Sequence, residues 1–112
     1  MADMARRIKL MADYECWPLW GMHSDEIGNI DPATLPLPAR TVARLNAWAE
    51  AFDARLDPDD PARSTPVPSD EAERFEREGL ALWSLLGEQL GPAFTIHYFS
   101  EAEGRVVSPE GR

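Results

Sequence analysis

Arg7-Ile8-Lys9-Leu10-Met11-Ala12-Asp13-Tyr14 is the stretch on which the fold turns. Ile8, Leu10, Ala12 and Tyr14 fall on alternate positions, with Lys9, Met11 and Asp13 between them. Successive side chains of an extended chain point to opposite sides, so a period of two predicts a strand with one buried face. Before it, residues 1–6 are expected to be a frayed end. After it comes Glu15-Cys16-Trp17-Pro18-Leu19-Trp20, with the only cysteine and two of the four tryptophans.

Residues 15–37 show no helical period and are punctuated by Pro18, Gly21, Gly28, Pro32 and Pro36. They read as one long connection, a kind of segment that often carries function. Two short extended pieces are candidates within it, around residues 17–20 and 27–30. A helix is expected from about Pro38 to Leu56. Proline suits the first turn, and Val42, Leu45, Ala49, Phe52 and Leu56 form one apolar stripe that Trp48 widens. Asp57-Pro58 stops it.

After a polar loop over 57–68, a second helix is expected from Ser69 or Asp70 to about Leu90. Asp70 and Glu73 resemble a capping box. Phe75, Gly79, Leu82, Trp83, Leu86 and Leu90 form its buried face, with Gly79 leaving room for a close neighbour. Gly91-Pro92 ends it. Residues 93–100 alternate again, with Phe94, Ile96 and Tyr98 on one face. The tail from 101 to 112 is expected to be loose, apart from Arg105-Val106-Val107, which can add a short strand after a turn at Glu103-Gly104.

The expected fold is therefore α+β: a small two-layer single domain over 1–112, with an ordered core at 7–100 and flexible ends at 1–6 and 101–112. The order is strand, long loop, helix, helix, strand. The sheet is expected to be antiparallel, of two to three strands, packed by two antiparallel helices. Up-and-down tracing through two helices makes the first and last strands antiparallel neighbours.

The formal net charge is −9, from 11 basic and 20 acidic residues. Such a field disfavours nucleic acid and anionic membrane and favours a basic protein partner, although acidity also serves solubility alone. No apolar run reaches the ~18–20 residues of a membrane span, and residues 1–7 are too polar for a signal peptide. With one cysteine there is no internal disulfide, and a reducing cytoplasmic setting is the simplest expectation.

No catalytic motif, cofactor site or metal site stands out. Cys16, His97 and Asp13 are the residue types of a thiol nucleophile, but the local signature is missing, and a small buried cysteine explains Cys16 as well. Cys16, His23, Asp25 and Glu26 lack zinc-ligand spacing. Asp13 and Glu15 share a strand face without further sign of paired-carboxylate chemistry. No glycine-rich phosphate loop is present. The strongest candidate is a partner-binding surface formed by Glu15, Trp17, Trp20, His23, Asp25, Glu26 and Asp31, tryptophan anchors among charges. Whether the two rings complete the core or face a partner is left open by their spacing.

Ile8-Lys9-Leu10-Met11-Ala12-Asp13-Tyr14 with Cys16-Trp17-Pro18-Leu19-Trp20, Gly28-Asn29-Ile30-Asp31-Pro32 running into Leu35-Pro36-Leu37, and Ala47-Trp48-Ala49 together resemble a group of small bacterial proteins without an assigned activity. The resemblance spans roughly residues 7–100. It implies a stand-alone bacterial module and no particular catalytic or binding residues. The function expected from these features is an acidic interaction protein, most concretely an immunity-type or antitoxin-type inhibitor of a basic toxin or enzyme. The alternatives are a small enzyme or ligand-binding domain using the Cys16 and His97 region, and a structural homodimer.

Overall fold

The computed structural model describes residues 6–13, 15–23, 26–54 and 69–108. Five strands, β1 (Arg6–Leu10), β2 (Leu19–His23), β3 (Glu26–Ile30), β4 (Phe94–Ser100) and β5 (Arg105–Val107), form one sheet in the order β3-β2-β1-β4-β5. Two helices, α1 (Ala39–Asp53) and α2 (Ser69–Leu90), form the second layer. The class is α+β, as the alternation and the apolar stripes predict. The sheet is larger than the two or three strands expected, and it is mixed rather than antiparallel. Both extended pieces of the 15–37 connection are strands, paired as a hairpin from Leu19↔Ile30 to His23↔Glu26. Arg105–Val107 is the fifth strand.

β1 and β4 are neighbours, but parallel, in the register Ile8↔Ile96 and Leu10↔Tyr98. The reason lies in residues 31–38. Thr41 meets Gln89, Arg44 meets Glu78 and Trp48 meets Phe75, so α1 and α2 are antiparallel, as expected. Trp83 bonds Ile96 while Glu76 bonds Ser100, so α2 and β4 are antiparallel too. Hence α1 runs the same way as β4, β1 and β3. The segment between β3 and α1 must therefore carry the chain back once more. It contains a short 3₁₀ turn at Pro32–Thr34 and the packed Leu35, and counting only strands and helices misses that return.

The core lies between the layers. Ile8, Leu10, Leu19, Ile96 and Tyr98 from the sheet pack with Leu45, Trp48, Phe75, Leu82, Trp83 and Leu86 from the helices, all buried. Each fully buried leucine or isoleucine contributes about 1.5–3 kcal/mol relative to exposure. The expected buried face of α2 is found entire, from Phe75 to Leu90. In α1, Leu45, Trp48 and Ala49 are buried, while Val42 and Phe52 are partly so. Leu56 and the 57–68 loop lie outside the described residues.

Polar atoms in this core are paired, which removes the cost of their burial. The Trp48 indole N–H donates to the Phe75 carbonyl at 3.0 Å, and that of Trp83 to the Ile96 carbonyl at 2.7 Å. Tyr98 and Ser100 donate to the two oxygens of Glu76 at 3.0 and 2.7 Å, tying β4 to α2. Gly79 sits against this knot, where an added Cβ would strike the Tyr98 hydroxyl and lie 2.9 Å from the Trp48 ring. At the end of α2, Gly91 takes φ of 70°, the left-handed conformation a helix end favours. Among the described residues no helix is long and apolar enough to cross a membrane.

Candidate functional site

The turn after β1 is built by local bonds and then held from a distance. The Cys16 N–H donates to the Asp13 carbonyl at 3.4 Å, a weak closure of the turn. Glu15 takes φ of 60°, a left-handed conformation rare outside glycine, asparagine and aspartate. Its backbone N–H donates to Asp53 Oδ1 at 2.8 Å, so the last turn of α1 anchors the strained residue.

Trp17 is held from the other side. The Asn29 side chain accepts from the Trp17 N–H at 2.8 Å and donates to the Trp17 and Leu19 carbonyls at 2.6 and 3.0 Å. One amide thus replaces a strand partner for a residue that has none. Pro18 and Leu19 are fully buried beside it. The backbone is fixed while the ring stands outward: Trp17 is 45% exposed, the most exposed large apolar side chain among the described residues.

Beside that ring opens a cleft of about 440 Å³, between the turn and α1. Glu15 and Cys16 line it on the turn side, with Asn46, Ala49, Glu50 and Asp53 on the helix side. Glu50 and Asp53 are three positions apart and share a helical face. No basic residue lines the cleft among the described residues. The resulting field acts on Cys16. Partial burial pushes the thiol pKa up, and the carboxylates of Asp13, Asp53 and Glu15 push it further. A nucleophilic cysteine needs the opposite, an electropositive setting that favours thiolate.

Of the seven residues expected to bind a partner, five divide between the two ends of the β2–β3 hairpin. Glu15 and Trp17 meet at the cleft. Asp31, at the same end, caps the 3₁₀ turn, its carboxylate accepting from the Ala33 N–H at 2.9 Å. His23 and Glu26 pair at the far end of the hairpin, and Asp25 lies outside the described residues. Four residue steps separate the ends, about 13 Å of strand. Trp20 alternates with the buried Leu19 and Gly21 and is half-buried, on the sheet face turned from the helices. Its indole N–H donates to the Met11 carbonyl at 3.0 Å. His97 stands mid-sheet opposite Lys9, whereas Cys16 is in the turn beyond β1.

Sequence reading missed Asn29, Glu50 and Asp53. The acids sit on what reads as the water side of α1, and their spacing of three was the available signal. Nothing in the eleven residues between Trp17 and Asn29 announces their bond.

An α+β chain with an exposed tryptophan on a fixed backbone beside an acidic cleft has the features of a protein that associates with another protein. The chain belongs to the Serratia CdiI immunity protein-like family, whose model matches residues 6–101. Its role is accordingly of the immunity type, exercised through a protein partner. No curated protein matches it.

Proposed function

We propose that this chain is an inhibitor that neutralises a basic toxin in the cytoplasm by binding it, without chemistry of its own. The membership of residues 6–101 in an immunity family carries the reading. The basic character of the partner follows from the net charge of −9, which speeds encounter with a surface of opposite sign. Docking uses the turn after β1, with Trp17 as anchor and Glu15 beside it, and His23, Asp25 and Glu26 of the hairpin, with Asp31 just after it, in supporting contacts. Trp20, half-buried, stiffens the strand behind them. An aromatic anchor rimmed by charge is the usual form of a binding hot spot.

The test is co-expression with the protein encoded next to this chain in its native genome. A stable complex on gel filtration, and restored growth of cells making the neighbour, are expected. If neither the neighbour nor any basic protein of the native host forms a stable complex, the proposal fails.

A further inference from the structure

We infer that the cleft beside Trp17 receives one arginine side chain of the protein partner. This deepens the reading just given and rests on it. The cleft holds about 440 Å³ and opens beside an indole that is 45% exposed. That is ample for a guanidinium and its aliphatic stem.

Asn29 grips the Trp17 backbone on both its N–H and its carbonyl, and Asp53 fixes Glu15. The backbone that carries the ring and the neighbouring carboxylate is therefore ordered before a partner arrives, which lowers the cost of binding.

Charge then selects the occupant. Asp53 uses Oδ1 for the Glu15 N–H. Glu15, Glu50 and Asp53 form no ion pair among the described residues. Cys16 lines the same cleft, and burial followed by the carboxylates of Asp13, Asp53 and Glu15 raises its thiol pKa. A cation is thus favoured, and the exposed indole face adds a second requirement. Guanidinium is planar, stacks on an indole and directs a fork of N–H donors to carboxylates at the same time. The compact, strongly hydrated ammonium of lysine cannot meet both groups so well.

The test is NMR titration at fixed ionic strength with N-acetyl-arginine amide, N-acetyl-lysine amide and N-acetyl-citrulline amide. The Trp17 indole N–H and the Asn29 side-chain amide are read. Saturable shifts are expected with the arginine compound, with binding at least about fivefold weaker for lysine, the worth of one exposed cation–π contact. Citrulline, which keeps the shape and loses the charge, is expected to give none. Glu50→Gln and Trp17→Ala are expected to abolish the Asn29 response while the other indole resonances stay in place, showing an intact fold. Equal shifts from citrulline, unchanged binding to both variants, or shifts confined to another surface would overturn the inference. If the chain captures its partner but shows no arginine response, this inference falls and the inhibitor reading stands. If no partner is captured, that reading falls whatever the probe does.

Discussion

Replacing Gly79 by alanine would place a methyl group against the Tyr98 hydroxyl and 2.9 Å from the Trp48 ring. Trp48 is stacked on Phe75 with centroids 4.5 Å apart, and Tyr98 is bonded to Glu76, so neither ring has room to yield. Gly79→Ala is expected to lower stability by about 1–3 kcal/mol despite the better helix propensity of alanine, measured by urea unfolding. Trp17→Ala should behave in the opposite way. The ring is exposed, so unfolding should change by no more than about 0.5 kcal/mol, while partner affinity in calorimetry falls at least ~30-fold, as at a hot spot. Cys16 supplies a third measurement. Its raised pKa keeps the thiol protonated, so its alkylation rate should rise only at higher pH than for an ordinary thiol. Asp53→Asn removes one of the responsible charges and should move that profile to lower pH. The place of Gly79 was legible because a glycine stood on an apolar stripe. The role of Asn29 was not, because its bonds to Trp17 and Leu19 exist only once the hairpin has formed.

The contact between α2 and β4 includes a carboxylate that holds two hydroxyls. Burial pushes the Tyr98 phenol well above its usual pKa, and the nearby Glu76 carboxylate pushes it further. The folded chain therefore holds this proton more tightly than the unfolded one. The stability this contributes is complete below about pH 10 and is lost as pH rises above the unfolded value. The urea midpoint should fall between about pH 10 and 11, and Tyr98→Phe, less stable at neutral pH, should show a flatter decline. Both helices and the strands β1 and β4 were readable because each carries a period matched to one buried face. The β2–β3 hairpin was only partly so. Pro18, Gly21 and Gly28 interrupt its pattern, and Gly21 faces Gly28 across the ladder, where no side-chain alternation survives to be seen.

Charge acts over longer distances than any of these contacts. With a net charge of −9, association with a basic partner should slow as salt rises and the Debye length shrinks from about 30 Å at 0.01 M to about 8 Å at 0.15 M. Stopped-flow mixing is expected to show an on-rate at least about tenfold lower at the higher salt, with a smaller change in the off-rate. An on-rate indifferent to salt would remove electrostatic steering from the proposal. Topology was the least legible property of the sequence, because the return through residues 31–38 is made by a segment that is neither strand nor long helix. Its product is the parallel pairing of β1 with β4, the start of the chain with its end. Translation proceeds at roughly 5–20 residues per second, so β1 waits seconds on the ribosome before its second neighbour exists. Closing so long a loop is slow as well. A nascent chain therefore cannot complete its sheet until β4 has been made, however early β1 and the β2–β3 hairpin emerge.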